Sequence, residues 1–453
     1  VRIVIIGAGK IGSTLALQLS KEDHDITIID TDPDTVERAV DSMDINGVVG
    51  NGASYNVQVE AGVGKADLMI AVTDSDELNI LSCLVAIKSG AQHTIARVRS
   101  PEYSNQLVFF KQELGLSMIV NPEFESALEI FRILRFPSAI KLDVFAKGKV
   151  EMAEVLIPQG SPLDGVSLED LTATFGVRVL ICAVSRGEEV HIPNGKFVLK
   201  SGDKIHVTAP HNAIAEFLKA TGIYKEKIRS VMIIGGGRIG YYLAQLLSET
   251  NIKVKIVEID EKRCVELSQN LPKARIICGD GTDQMLLIEE GIESCDALIS
   301  LTGIDEENII LSMYGSQIKL DKVVPKVNNT NILGMLNMIG IESVVSPKNI
   351  TAERIIRYVR AMTNSEGTTF NTLYKIVNDR AEALEFTIAD ESFPFLGIPI
   401  KELKPIYGTI IACIIRNGKI RFPSGGDTIE RGDTIIIVAS ADKPIKGLND
   451  VFQ

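Results

Sequence analysis

The sequence predicts an α/β protein with two Rossmann-like, doubly wound parallel-sheet domains. A small α+β module follows each of them, so the chain is an internal duplication of the form A–B–A′–B′. Three observations predict this. A glycine-rich turn joins a β-branched strand to an amphipathic helix at the start of the chain. The same turn returns 228 residues later, at Gly235. Each copy then passes into a β-rich stretch that has no glycine-rich phosphate loop. At 453 residues the chain also exceeds what a single hydrophobic core accommodates.

The first turn is built from Gly7, Ala8, Gly9, Lys10, Ile11 and Gly12, directly after the strand Ile3 to Ile6. Gly7 makes the tight strand-to-helix turn, Gly9 leaves room for a pyrophosphate, and Gly12 lets the helix pack closely on the strand. The helix N-terminus offers free N–H groups and a positive dipole end to phosphates. A second strand, Ile26 to Ile29, ends in Asp30, 18 residues beyond Gly12. The spacing is close to the ~20 residues at which an acid accepts hydrogen bonds from ribose hydroxyls. Strand, turn, helix, second strand and acid agree, so the stretch reads as a dinucleotide site rather than as a packing device.

The elements that follow complete the sheet. A helix is expected from Asp32-Pro33, with the acid as N-cap and proline at the first helical position. A short strand from Gly47 ends in the polar turn Asn51-Gly52, and a buried strand runs from Ala66 to Thr73. Asp74, Asp76, Glu77 and Asn79 open the next helix. Strands His93 to Val98, carrying Arg97, and Gly115 to Val120 follow. Ligands of doubly wound sheets sit at the carboxyl ends of strands, where Asp30, Asn51, Gly52, Thr73 and Arg97 fall. An amphipathic exit helix, Glu123 to Arg135, carries Phe124, Ala127, Leu128, Phe131 and Leu134. Its apolar face, like that of Ile355, Ile356 and Val359 in the second copy, reads either as intradomain core or as a dimer contact. Beyond Lys141, strands are expected at Val150–Leu156, Val177–Ser185 and Lys204–Ala209, with a capped helix starting over Ser167 to Leu171.

The second copy repeats each element. Gly235, Gly236, Gly237, Arg238, Ile239 and Gly240 form its turn, and Glu258 is its acid, again 18 residues past the last glycine. Gly279 and Asp280 match the Asn51-Gly52 turn, and Thr302 matches Thr73. Lys326 stands at the Arg97 position and Gly303 at the Asp74 position. Thr351 to Met362 repeats the exit helix, and Leu384 to Phe452 the small module. The expected domains are 1–137, 138–222, 228–365 and 366–453.

Composition narrows the function. The net charge is −12 and both halves are acidic, so nucleic acid and anionic lipid are poor partners for the surface as a whole. Six cysteines without a CxxC pair point to a reduced, cytosolic chain without structural zinc, and the five histidines do not cluster with them. No apolar run reaches the ~18 residues that a membrane span needs. The first residues enter a core strand directly, which leaves no room for a signal peptide. Action at a membrane would therefore be that of a peripheral subunit.

The glycine turns, Gly-(Asn/Asp)-Gly-(Ala/Thr)-(Ser/Thr), Ala71-Val-Thr-Asp-Ser-Asp-Glu-Leu-Asn79 and Ala96-Arg-Val-Arg-Ser-Pro-Glu-Tyr103 resemble the RCK/KTN regulators of potassium transport. The duplicated arrangement is similar to the peripheral subunit of bacterial and archaeal Trk uptake systems, over essentially the whole chain. The resemblance implies binding of NAD(H) and adenine nucleotides, no catalysis, and assembly as a dimer or tetramer into a ring of RCK domains. It also implies docking on an integral membrane potassium transporter, at the inner face of the cell membrane, without nucleic acid. Carried over by position, Gly7 to Ile11 surround the pyrophosphate and Asp30 holds the ribose. Asn51 and Gly52 flank the adenine, Thr73 and Asp74 lie near the phosphates or distal ribose, and Arg97 pairs with phosphate. The second site uses Gly235 to Ile239, Glu258, Gly279, Asp280 and Thr302. The first site is expected to take NAD(H), and the second NAD(H) or ATP/ADP, since Lys326 and Gly303 depart from the pattern there.

Two other functions compete. An NAD-dependent dehydrogenase needs a proton donor or base in a substrate domain. The first small module carries His191, His206 and His211 while the second carries no histidine, and a duplicated enzyme is expected to repeat its catalytic group. His206, alternating with Ile205 and Val207, reads as a strand residue facing out or capped by a hydrogen bond. A scaffold with vestigial sites is the other alternative, and retention of an acid at both ribose positions argues against it.

Overall fold

The computed structural model describes residues 1–22, 24–145, 150–187, 189–329, 332, 335–336, 339–364, 370–377, 380–388, 394–403, 406, 408–440, 445, 448 and 451–452. The boundary expected at residue 366 lies outside them. Contacts divide the chain into two units, residues 1–131 with 228–359 and residues 132–227 with 360–453.

The first unit holds both parallel sheets. Strands β1 (Arg2–Ile6), β2 (Asp25–Asp30), β3 (Asn46–Val49), β4 (Leu68–Ala71), β5 (His93–Arg97) and β6 (Met118–Val120) are ordered β3-β2-β1-β4-β5-β6. All neighbours pair parallel, and Ile3, Val4 and Ile5 are fully buried, as strands covered on both faces require. The order reverses between β1 and β4, which places a crevice beyond their carboxyl ends. The Asp32 carboxylate accepts from Asp34 N at 3.3 Å and caps the helix Pro33–Ser42.

The second copy sits in the same unit. The small module intervenes in the chain with five strands: β7 (Lys141–Phe145), β8 (Val150–Leu156), β9 (Leu180–Arg186), β10 (Glu189–His191) and β11 (Lys204–Thr208). Then β12 (Ser230–Ile234), β13 (Lys253–Glu258), β14 (Arg275–Cys278), β15 (Ala297–Ser300) and β16 (Lys322–Pro325) form a parallel sheet ordered β14-β13-β12-β15-β16.

The two exit helices join the copies. Tyr242, in the second-copy helix Arg238–Leu247, donates its hydroxyl to Arg99 O at 2.9 Å and accepts from Asn121 Nδ2 at 3.1 Å. Its ring stands edge-on to Phe124 of the helix Pro122–Arg135, with centroids 5.5 Å apart. From the helix Pro347–Asn364, Arg354 pairs with Glu125, and the Tyr358 hydroxyl lies 3.2 Å from His93 Nδ1. The exit helices thus make contacts between two copies within one chain, with Ile355, Ile356 and Val359 buried.

The second unit holds the small modules. Strands β7 to β11 form an antiparallel sheet ordered β10-β9-β11-β8-β7. Strands β17 (Phe370–Ile376), β18 (Ala381–Thr387), β19 (Thr409–Arg416), β20 (Lys419–Arg421) and β21 (Thr434–Ser440) are ordered β17-β18-β21-β19-β20, the same topology. One face of each sheet covers its own core, and the other meets its counterpart through Met152, Cys182, Ala183, Ala383, Cys413, Ile436 and Val438. In each module an arginine fork grips a buried aspartate. Arg186 Nε and Nη2 donate to Asp203, and Arg416 Nε and Nη2 to Asp433, all at 2.8 Å. Each carboxylate also accepts a backbone N–H of the preceding turn, from Lys200 and Glu430, at 2.8 Å.

Some local expectations need correction. The helix expected from Ser167 begins at Leu171, because Ser167 bridges to Val198 and its hydroxyl donates to Asp170. Strands β7 and β10, which are short, and the ten-residue helix His211–Ala220 are additions to the expected elements. His206 neither faces out nor is capped. It is 1 % exposed, and both ring nitrogens are buried without a hydrogen-bond partner. Among the described residues no helix is long and apolar enough to cross a membrane.

Burial pushes the His206 pKa down; Lys141 and Lys204 act the same way, while Glu154 and Asp143 oppose it. A group whose folded pKa is depressed stabilises the fold above its unfolded pKa and loses that contribution as pH falls. Below about pH 6.5 the cost approaches ~1.4 kcal/mol per pH unit. The register-equivalent residue of the second module, paired with Glu385 as His206 is with Glu154, is Ile436. His206→Ile is expected to raise the thermal midpoint and to flatten its decline between pH 7.5 and 5.5, as read by scanning calorimetry.

Candidate functional site

The glycines of both turns divide the work as their spacing implies. Gly7 and Gly235 have φ of +99° and +100°, a conformation that favours glycine. A Cβ on Gly12 would lie 1.8 Å from Gly7 O, and one on Gly240 would lie 2.5 Å from Gly235 O. Gly9 and Gly237 face open space, so a ligand can reach their backbone. They precede the helices Lys10–Ser20 and Arg238–Leu247, which have no side-chain cap and no acid in the first turn. The first N–H groups of both helices are therefore left for solvent or an anion.

The acids at the strand ends hold the turns. Asp30 Oδ2 accepts from Ala8 N at 2.6 Å and Oδ1 from Asp32 N at 3.1 Å. Glu258 Oε2 accepts from Gly236 N at 2.7 Å and Oε1 from Asp260 N at 3.0 Å. Each acid has a structural duty without any ribose. Its retention therefore does not distinguish a working site from a vestigial one, and that argument against a scaffold falls.

A buried asparagine in each copy fixes the next two strand ends. Asn79 Oδ1 accepts from Thr73 N at 2.8 Å, while its Nδ2 donates to Thr73 O at 3.1 Å and Arg97 O at 2.9 Å. Asn308 repeats this on Thr302 N at 2.8 Å, Thr302 O at 3.2 Å and Lys326 O at 3.0 Å. This positioning role was missed in the sequence; the signal was the same amide at the same spacing in both copies. Asn51 instead closes its own turn by accepting from Ala53 N at 2.9 Å, and Asp280 accepts from Thr282 N at 2.8 Å. Gly52 lies against Ile6, where a Cβ would come within 2.1 Å of Cγ2.

Arg97 is largely buried. Its Nη1 donates to Thr73 O at 3.3 Å and reaches Asp74 Oδ1 at 3.4 Å, while Nη2 lies 4.0 Å from Glu123. Its Nε and Glu123 Oε2 are buried without a hydrogen-bond partner. Burial, then Arg99, lowers the Arg97 pKa against the pull of Glu123 and Asp74. Burial likewise lowers that of Lys326, with Asp305 and then Glu123 opposing and Lys10 adding to the shift. Lys326 thus lies in the field of two first-copy side chains.

These groups meet in one cleft of about 760 Å³. From the first copy it is lined by Gly7, Gly9, Lys10, Ile11, Asp30, Gly52, Thr73, Asp74, Arg97 and Glu123. From the second it takes Gly237, Arg238, Ile239, Lys326, Asn328 and Lys348. Five cations (Lys10, Arg97, Arg238, Lys326, Lys348) face three acids (Asp30, Asp74, Glu123), a surplus that suits an anionic ligand in an otherwise acidic protein. Ala8 and Asn51 do not line it, nor do Gly235, Gly236, Glu258, Gly279, Asp280 and Thr302. The expected first site is therefore brought together almost whole, whereas the second is divided. Its helix start joins the first site, and its acid and adenine-side turn stay outside the cleft.

The TrkA-N domain model matches residues 3–122 and 231–347, and the TrkA-C domain model matches residues 152–222 and 383–443. The chain belongs to the TrkA family. A Trk system potassium uptake protein TrkA homolog of Archaeoglobus fulgidus is 33% identical over 453 residues, with 100% of each chain covered. The TrkA protein of Halomonas elongata is 31% identical over 100% of this chain and 98% of its own. Among solved structures, a GsuK channel bound to NAD superposes with a TM-score of 0.63 at 20% identity, over 97% of this chain and 77% of that one. The GsuK RCK domain does so at 0.62 and 19%, over 97% and 92%. At such identities these likenesses establish the RCK fold. The TrkA-family repeat coincides with the duplicated parallel and antiparallel sheets.

Asp30→Ala removes a charge-assisted bond and leaves the Ala8 amide unpaired. Such losses cost about 2 kcal/mol. With no nucleotide present the variant is expected to be less stable than the parent by that amount, and so to unfold at a lower urea concentration, as read by urea titration.

Proposed function

We propose that the protein is a nucleotide-sensing regulatory subunit of a Trk-type potassium transporter, binding NAD(H) in the shared cleft. The observation that carries this is the meeting of two uncapped glycine-loop helix starts and five cations in one cleft. Phosphates are the ligand class that such an arrangement stabilises. The names of the relatives, and the NAD bound to a GsuK channel of the same fold, support potassium transport and a dinucleotide.

The proposed roles follow position. Gly7, Ala8, Gly9, Lys10 and Ile11 surround the pyrophosphate, Asp30 adds a ribose contact to its structural bonds, and Asn51 and Gly52 lie on the adenine side. Thr73, Asp74 and Arg97 face the phosphates or distal ribose. A second ligand, NAD(H) or ATP/ADP, would use Gly235, Gly236, Gly237, Arg238, Ile239, Glu258, Gly279, Asp280 and Thr302. Four modules with boundaries near 137, 222, 228 and 365 make up the proposed subunit. In this proposal a homo-oligomeric ring of such modules docks on the cytoplasmic side of an integral membrane transporter.

A ligand touching both copies can change how they pack, provided that its affinity differs between the two packings. This supports a regulatory rather than a chemical role.

NADH is expected to bind more tightly than NADPH, because Asp30 repels a 2′-phosphate; calorimetric titration of the full chain measures the ranking, and a reversed ranking overturns it. Arg238→Gln, in the second copy, is expected to weaken NADH binding about ten-fold by removing a partly desolvated phosphate contact. An unchanged affinity would show that the first copy binds alone. Recovery of a potassium transporter from solubilised membranes, in a nucleotide-dependent amount, tests the partner.

A further inference from the structure

Two thiols flank the acid of the second copy. Cys278 ends β14 and is the register partner of Glu258 on β13. Cys264, in the helix Glu261–Asn270, places its Sγ 3.3 Å from Glu258 O. The same carbonyl oxygen accepts from Gly279 N, the residue after Cys278, at 2.9 Å. Both cysteines therefore flank one carbonyl, Cys264 through its thiol and Cys278 through the amide that follows it. Cys278 is exposed, while Cys83, Cys182, Cys264, Cys295 and Cys413 are buried.

The first copy has the same backbone without the thiols. Asp30 pairs in register with Val49, and Val36 occupies the equivalent helix position. The corner thus forms without thiols in the first copy, and the second copy carries cysteines in place of both valines.

We propose that Cys264 and Cys278 form a reversible disulfide that ties the helix Glu261–Asn270 to the end of β14 and locks the second-copy crevice. The oxidant is a low-molecular-weight disulfide. Exposed Cys278 attacks it as thiolate, one small thiol leaves, and a mixed disulfide forms on Cys278. Cys264 then loses its proton to solvent and attacks the Cys278 sulfur, which releases the second small thiol. Two protein thiols are oxidised and one small disulfide is reduced to two thiols. Burial and the Cys278 thiol hold the Cys264 pKa up at about 12, so Cys278 is the attacking group and Cys264 the resolving one. The mixed disulfide removes the Cys278 thiol from that balance.

The tether acts on Gly279 and Asp280, and its bearing on nucleotides rests on the function proposed above. The test is therefore independent of nucleotide. The full chain is treated with oxidised glutathione, unfolded, alkylated and mapped by peptide mass. The expected result is a Cys264–Cys278 linked peptide, with the other four of the six cysteines alkylated. Cys264→Ser is expected to stop at a glutathione adduct on Cys278, and Cys278→Ser to give neither product. If the parent also stops at the adduct, or keeps six alkylatable thiols, the disulfide is refuted. Backbone hydrogen exchange over Gly279 to Thr282 is expected to slow several-fold in the oxidised parent and to recover on reduction. Exchange that does not change in a chain with the link formed would refute the lock.

Discussion

The carboxyl-end edge of each parallel sheet depends on one charge-assisted hydrogen bond. In the first copy it runs from Ala8 N to Asp30 at 2.6 Å, and in the second from Gly236 N to Glu258 at 2.7 Å. A glycine at positive φ turns the chain out of the sheet, and the next amide would be left unpaired inside the crevice. The carboxylate on the neighbouring strand satisfies it. The same carboxylate accepts the amide two residues beyond itself, which sets the entry to the following helix. Turn, helix start and second strand end are thereby held as one rigid corner. The corner leaves the first helix amides without a side-chain cap, the arrangement that the proposed anionic ligand needs.

The second level of organisation is the pairing of two such corners within one chain. Tyr242 reaches across to Arg99 O and Asn121, and Arg354 reaches back to Glu125. These contacts bring Arg238 and Lys326 to the cleft that also holds Lys10 and Arg97. Like charges gathered in this way repel, and burial lowers the pKa of Arg97 and Lys326. The half-buried Glu123, 4.0 Å from Arg97, offsets part of that repulsion. The charge balance suits occupation by an anion, whose arrival would relieve the cations and favour the packing that brings them closest.

The small modules show how duplication permits divergence. Both keep the arginine–aspartate fork, because a buried carboxylate without its partner is costly. At the face where the sheets meet, one copy carries His206 and the other Ile436, and Cys182 and Cys413 also enter that face. Asymmetry is tolerated there because each face needs shape and low polarity rather than a particular residue. His206 exceeds that tolerance, since its two ring nitrogens have no partner.

The duplicated α/β plan, the glycine turns and the acids are legible in the chain alone, because these are local. Period-two runs, glycine spacing and an acid at a strand end are set by backbone geometry within about 30 residues. The Asn79 and Asn308 clamps were half legible, as a repeated residue without a visible partner. The tertiary structure alone decided which residues share a cleft. Lys326 reads in the chain as a substitute for Arg97 in a separate second site, yet it lines the same cleft as Lys10, Arg97 and Glu123 of the first copy. No local pattern encodes that, because it depends on how Tyr242, Phe124 and the two exit helices pack across more than 100 residues of sequence. The structural bond of Asp30 was hidden for a different reason: Ala8 N lies only 22 residues away, but the sequence shows the acid without naming its partner.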